Sequence, residues 1–76
     1  MLPKKKILLV DDDDMLRGTL LEQLSLHDEF SVSEAATATL GVKALKQDSA
    51  DLVVLDVNLP DMDGREACKI MRRNGY

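Results

Sequence analysis

With 76 residues and a formal net charge of −4, the chain is long enough for one small domain and lacks the basic excess expected for direct nucleic-acid binding. Its composition, 45% hydrophobic and 32% charged, is typical of globular proteins, and Phe30 and Tyr76 are its only aromatic residues, which predicts an aliphatic core. The single cysteine, Cys68, excludes a disulfide bond within the chain.

The first predicted strand covers residues 6–10, where an apolar run stops abruptly at aspartates. A continuous run of this kind is typical of a strand that is buried on both faces of a parallel sheet. It is too short for a signal peptide or a membrane span. We therefore expect a cytoplasmic chain without a membrane partner.

The first predicted helix follows this strand. Asp13 and Asp14 stand where an N-cap belongs, and a capping role accounts for them without any further chemistry. An apolar stripe with a spacing of about four residues then follows one helix face. Its members are Leu16, Leu20, Leu21 and Leu24.

Residues 30–34 alternate between apolar and polar side chains, which predicts a half-exposed strand at a sheet edge. A second helix follows, for which Thr37 is the candidate cap. Its apolar positions recur with the spacing expected for one helix face. They are Ala38, Gly41, Val42 and Leu45.

The third predicted strand, residues 52–55, repeats the buried pattern of the first and ends at Asp56. The long connection over residues 57–63 is a candidate functional loop, because conspicuous loops often carry function. A third helix follows Gly64, with residues 74–75 as its stop signal. Its apolar residues are Ala67, Cys68, Ile70 and Met71, and Cys68 is most simply a small core residue.

The alternation of strands and helices predicts an α/β fold with a doubly wound parallel sheet. If the second crossover passes back over the first strand, right-handed crossovers give the strand order 2-1-3. The first helix then covers one face of the sheet, and the other two helices cover the opposite face. Ligands of such sheets bind beyond the carboxyl ends of the strands where the order reverses, here between strands 1 and 3.

Three carboxylates are expected at that point: Asp11 and Asp12 after strand 1, and Asp56 after strand 3. At about 5 Å and an effective dielectric constant of about 20, each pair of charges repels by about 3 kcal/mol, so the cluster calls for a cation. Ligands that are all oxygen atoms favour a hard ion, and Mg²⁺ fits best. With the charge neutralised, Asp56 can form an acyl phosphate.

The same segments resemble a known family. Residues 7–13 are similar to the first strand and acidic pair of response-regulator receiver domains, and residues 52–64 are similar to their phosphoacceptor strand and the loop after it. Residues 34–45 look like their second strand and helix. The resemblance covers the whole chain and implies the flavodoxin-like, CheY-like fold.

The resemblance also implies roles for single residues. Asp56 matches the phosphoacceptor, and Asp12 matches the direct metal ligand. Asp11 matches the acid that holds the metal through water, and Asn58 matches the position whose backbone carbonyl ligates the metal. The residues that match those shaping the loop and opening the third helix are Pro60 and Gly64.

In the family, these parts serve two-component signal transduction. The resemblance implies Mg²⁺ as cofactor and a histidine kinase or phosphotransfer protein as partner. It implies no enzyme beyond Mg²⁺-assisted self-phosphorylation and dephosphorylation. A receiver has five βα units, so residues 1–76 are interpreted as a partial receiver domain that lacks the last two. The strand-4 Ser or Thr, the strand-5 lysine and the aromatic switch residue have no counterpart here.

Two other classes of function remain open. A phosphatase of the haloacid-dehalogenase type would require a second aspartate two residues after the nucleophile, where Asn58 stands. Alternatively, the chain is a binding or assembly module that is not phosphorylated. Such a module would self-associate through the exposed edge of the third strand, and we expect a homodimer of this kind.

Overall fold

The computed structural model describes residues 3–73 and contains three successive strand–helix units. They are β1 (Lys5–Val10), α1 (Asp14–Ser25), β2 (Phe30–Ala35), α2 (Ala38–Gln47), β3 (Leu52–Leu55) and α3 (Gly64–Arg73). The strands are parallel in the order β2-β1-β3, so the predicted fold class and strand order are confirmed. The stop signal predicted at residues 74–75 lies outside the described residues. Within residues 3–73, no helix combines the length and hydropathy required to cross a membrane.

The register of the sheet brings the ends of β1 and β3 level with each other. Val10 of β1 is paired with Leu55 of β3. One residue further on, the Asp56 N–H donates to the Val10 carbonyl at 2.9 Å, and the Asp11 N–H donates to the Ala35 carbonyl of β2 at 3.1 Å. The chain therefore leaves both strands at the carboxyl end of the sheet, and the first residue after each strand is an aspartate.

The core is aliphatic, as predicted, and lies on the face of the sheet that carries Leu8 and Val10. Both side chains are almost fully buried. Helices α2 and α3 cover this face, and their inward-facing residues belong to the same cluster: Ala38, Leu45, Ala67 and Met71. Cys68, predicted to be a small core residue, is only half-buried.

The prediction that β3 is buried on both faces was wrong. Leu52 is 55% exposed and Val54 is 43% exposed, while the alternate residues Val53 and Leu55 pack against the core. On the other face of the sheet, helix α1 packs mainly against β2 and β1 and leaves much of β3 uncovered. Leu16 of the α1 stripe is also 47% exposed.

The two predicted helix caps are present. Asp13 is the N-cap of α1, and its Oδ1 accepts a hydrogen bond from the Leu16 N–H at 3.0 Å. Thr37 is the N-cap of α2, and its hydroxyl oxygen accepts from the Leu40 N–H at 3.1 Å. Asp14 lies inside the first turn of α1, where a negative charge interacts favourably with the helix dipole.

Candidate functional site

Asp11, Asp12 and Asp56 come together at the carboxyl edge of the sheet. One carboxylate oxygen from each residue lies within 4.8 Å of the other two. Asp11 and Asp56 are half-buried and Asp12 is exposed. Three oxygen donors at this spacing fit the ligand preference of a hard divalent cation.

Short turns orient two of the three carboxylates. The Asp13 N–H donates to Asp11 Oδ1 at 2.9 Å, and the Asn58 N–H donates to Asp56 Oδ1 at 3.3 Å. Both bonds join an aspartate to the backbone two residues later, as in Asx turns. In each carboxylate the turn engages Oδ1, so Oδ2 is left for an external ligand.

A cavity of about 110 Å³ lies between α1 and the ends of β1 and β3. Asp11 and Asp56 line it together with the apolar side chains of Leu20 and Val54. A single ordered water needs about 10–15 Å³ of such space, so the cavity is large enough for a hydrated ion or a small anion.

The loop after β3 is held tightly to the site. Asn58 forms an isolated bridge with Asp63, and the Gly64 N–H donates to the Val57 carbonyl at 2.8 Å. Leu59 is buried in the core beneath this loop. Asn58, for which the family resemblance implies a role as carbonyl ligand, is thereby held in the loop next to Asp56.

Gly64, the first residue of α3, lies against the backbone of the residues that follow β3. A Cβ atom added at Gly64 would lie 2.2 Å from the Asp56 carbonyl oxygen and 2.8 Å from the Val57 Cα. Both neighbours are backbone atoms, so no side-chain movement can relieve the overlap. Only glycine permits this contact between the start of α3 and the residue after β3.

The sequence did not reveal the role of Asp61 in the same loop. Its Oδ1 accepts from the Ala38 N–H at 2.9 Å, and its Oδ2 accepts from the Thr39 N–H at 2.8 Å and the Thr39 hydroxyl at 2.5 Å. The Thr39 hydroxyl, followed by the Thr39 N–H, lowers the pKa of Asp61 to about 2. Asp61 thus joins the loop to the start of α2. Because its partners are more than twenty positions away, local patterns indicate only a turn residue.

Arg17 was also missed, although it is the buried charged residue of the region described. Its Nε donates to Glu34 Oε1 at 2.9 Å, its Nη2 donates to Asp14 Oδ1 at 2.6 Å, and its Nη1 donates to the Asp11 carbonyl. Bonds to Glu34 and Asp14 raise the pKa of Arg17. An arginine three residues after Asp14 was a visible signal, but its bonds to Glu34 on β2 and to the Asp11 carbonyl after β1 depend on the fold.

Comparison with known sequences connects these features to a family. Residues 7–76 match the sequence model of the family described as response regulator receiver domain. The chain is similar to the transcriptional regulatory protein AfsQ1 of Streptomyces coelicolor, with 43% identity over 67 residues. The matched region covers 88% of this chain and 29% of AfsQ1, so the chain spans less than a third of that relative.

Solved structures carry the same fold. A response regulator receiver domain protein (CheY-like) from Methanospirillum hungatei superposes with a TM-score of 0.85 and 30% identity, over 95% of this chain and 57% of that one. A chain from the complex of the histidine kinase ThkA with the response regulator protein TrrA superposes with a TM-score of 0.83 and 30% identity, over 91% and 59% of the two chains. The CheY-like fold is thus confirmed across nearly the whole length of this chain.

Proposed function

We infer the function of this chain from its family: the chain belongs to the response regulator receiver domains of two-component signalling. We propose that Asp56 is the phosphoacceptor and takes a phosphoryl group from a phosphohistidine of a histidine kinase or phosphotransfer protein. The observation that carries this proposal is the meeting of the Asp11, Asp12 and Asp56 carboxylates within 4.8 Å. In support, one structural relative is a complex between a response regulator and a histidine kinase.

The donor set fits Mg²⁺, which we propose is held by Asp11, Asp12 and Asp56 with the Asn58 carbonyl. When bound, this ion would neutralise the charge on the attacking carboxylate and on the phosphoryl oxygens. The chain itself supplies the nucleophile and its orientation: the Asn58 N–H holds Asp56 Oδ1, which leaves Oδ2 for the attack. An O–P bond forms at Oδ2 as the N–P bond to the imidazole breaks, and the imidazole keeps the electron pair. We propose no acceptor of the phosphoryl group in this chain other than Asp56.

Incubation with acetyl phosphate and Mg²⁺, followed by intact-mass measurement, tests the proposal. We expect the mass of one phosphoryl group to be added, and we expect Asp56→Asn and chelation of the metal each to abolish the adduct. Asp28→Asn is the matched control, because Asp28 is an exposed aspartate in the α1–β2 loop, away from the site. An adduct that survives in Asp56→Asn would place the acceptor elsewhere. Complete absence of an adduct would favour the assembly module.

A second proposal concerns self-association, and the exposed edge of β3 favours it. Strand β3 lies at the edge of the sheet, with Leu52 and Val54 exposed. A groove of about 450 Å³ lies along this edge and is lined by apolar residues that include Leu52, Val53 and Met71. We propose that the 76-residue chain forms a two-fold dimer in which β3 pairs with its copy, which gives a six-stranded sheet ordered 2-1-3-3′-1′-2′.

The hydrogen bonds of the sheet identify the amides that such a dimer would use. The Asp56 N–H points toward β1, and successive N–H groups along a strand point to alternate sides. The Val54 N–H therefore also points toward β1, while the Val53 N–H points toward the open edge. On the opposite edge of the sheet, the Ala35 carbonyl points toward β1. By the same alternation, the N–H of Val32, three residues earlier on β2, points outward to solvent. Val53→Pro and Val32→Pro are therefore matched substitutions of one outward amide on each edge.

We expect Val53→Pro to weaken the dimer by about tenfold or more, since each copy loses an interface hydrogen bond worth about 1 kcal/mol. Val32→Pro should leave the dimer unchanged. Sedimentation velocity over a concentration series measures both. A folded wild-type monomer at high micromolar concentration would contradict the association, and equal effects of the two prolines would contradict pairing through β3.

A further inference from the structure

Arg17 lies on α1, directly beside the acidic cluster, and only 8% of its surface is exposed. Each of the three guanidinium nitrogens, Nε, Nη1 and Nη2, donates a hydrogen bond to an acceptor from a different part of the chain. It lines the same cavity of about 110 Å³ as Asp11 and Asp56. A buried arginine with bonds to three segments is well suited to fix their relative positions.

One of these bonds reaches the backbone that carries the acidic pair. Arg17 Nη1 donates to the carbonyl of Asp11, and that carbonyl belongs to the peptide unit joining Asp11 to Asp12. On its other side, the Asp11 N–H is bonded to Ala35 of β2. No hydrogen bond or ion pair within residues 3–73 involves the Asp12 carboxylate. The peptide that Arg17 holds therefore sets the position of the Asp12 backbone, from which the carboxylate reaches the cluster.

The carboxylates that pair with the Arg17 guanidinium are those of Glu34 and Asp14, which lie outside the cluster. Glu34 lies 2.9 Å from Nε and Asp14 lies 2.6 Å from Nη2, so two carboxylates surround one guanidinium. Asp11 is contacted through its carbonyl oxygen, and its carboxylate is bonded to the Asp13 N–H instead. The three acidic side chains of the cluster thus remain available to a cation.

We propose that Arg17 is a positioning residue for the cation site, which orients the Asp11–Asp12 peptide so that both carboxylates face Asp56. Glu34 and Asp14 hold the guanidinium in the position this requires. The inference rests on the proposed function, because it concerns the same cation site.

A role of Arg17 through its charge and a role through positioning predict opposite changes in Mg²⁺ affinity when the charge is removed. A positive charge near a cation site repels the cation, so a role through charge alone means that removing the charge tightens Mg²⁺ binding. A positioning role means that binding weakens whenever the three-way contact is lost, whether or not the charge is kept. Lysine keeps the charge but has one nitrogen and no fork, so it cannot reach all three acceptors.

The experiment measures the Mg²⁺ dissociation constant of the full 76-residue chain by NMR, from the native-state amide signals of Asp12, Asp13 and Asn58. Signals of the folded form report binding to that form, even when a variant is less stable. We expect Arg17→Lys and Arg17→Gln both to weaken binding by roughly tenfold, the effect typical of residues that orient metal ligands. Tighter binding by Arg17→Gln, or unchanged binding by Arg17→Lys, would overturn the proposal.

Glu34→Gln provides a milder test if the Arg17 variants fail to fold, because it keeps the arginine and removes one of its anchors. We expect it to weaken Mg²⁺ binding by roughly threefold, and to do so equally in about 0.5 M KCl, where long-range charge effects are screened. If the weakening of Mg²⁺ binding by Glu34→Gln disappears in salt, the positioning role of Arg17 is overturned. A wild-type chain that does not bind Mg²⁺ would instead overturn the proposed cation site itself, so the two failures are distinguishable.

Discussion

Gly64→Ala should lower the free energy of unfolding by about 3 kcal/mol, at the upper end of the range for overpacking a tightly packed site. The added Cβ would lie 2.2 Å from the Asp56 carbonyl oxygen, and the next nearest atoms also belong to the backbone. Either α3 has to move away from the sheet, or the peptide after Asp56 has to rotate. The second movement would disturb the aspartate we propose as phosphoacceptor, so we also expect weaker Mg²⁺ binding.

Gly18→Ala is the matched control for this substitution. Gly18 lies within α1, and a Cβ added there meets no atom within 4 Å. Because alanine has the higher helix propensity, this variant should be unchanged or more stable by up to about 1 kcal/mol. Denaturant unfolding with comparison of midpoints and slopes measures both variants. Equal stability of Gly64→Ala and wild type would show that the backbone contact is not tight in solution.

The architecture was predictable because its main determinants are local. The apolar run that ends at Val10 and the run over Leu52–Leu55 each stop at an aspartate. In a parallel sheet with order 2-1-3, the carboxyl ends of the two strands are neighbours, so pattern and topology together bring Asp11 and Asp56 close. The cap residue Thr37 was likewise visible, because it bonds to an amide only three residues away.

The parts that were not predictable depend on distant partners. Asp61 bonds to the start of α2 and Arg17 bonds to Glu34 on β2, and neither pair has a spacing that a helix or turn would impose. The exposure of Val54 was mispredicted for a related reason: an apolar run cannot indicate how far α1 extends across the sheet. These features follow from the packing of whole elements.

Asp12→Asn should separate metal binding from folding. If Mg²⁺ binds the native chain with a dissociation constant of about 1 mM, then about 10 mM Mg²⁺ stabilises it by about 1.4 kcal/mol. Calcium should substitute in part, and monovalent salt at matched ionic strength should do less. The variant should lose most of this gain, because it removes a carboxylate that lies within 4.8 Å of both other acids. Thermal or denaturant unfolding with and without Mg²⁺ measures the difference.

Without metal, the same variant should be no less stable than wild type. Asp12 is exposed, so the dielectric constant around it is nearer that of water, where two charges about 5 Å apart repel by about 0.8 kcal/mol. The asparagine removes that repulsion, and the N-cap role belongs to Asp13. Asp13→Ala is therefore the contrasting control: it should cost about 1 kcal/mol as a lost cap and yet retain the response to Mg²⁺. A metal-free Asp12→Asn variant destabilised by more than about 1 kcal/mol would instead make Asp12 a structural residue, because a lost cap costs about that much.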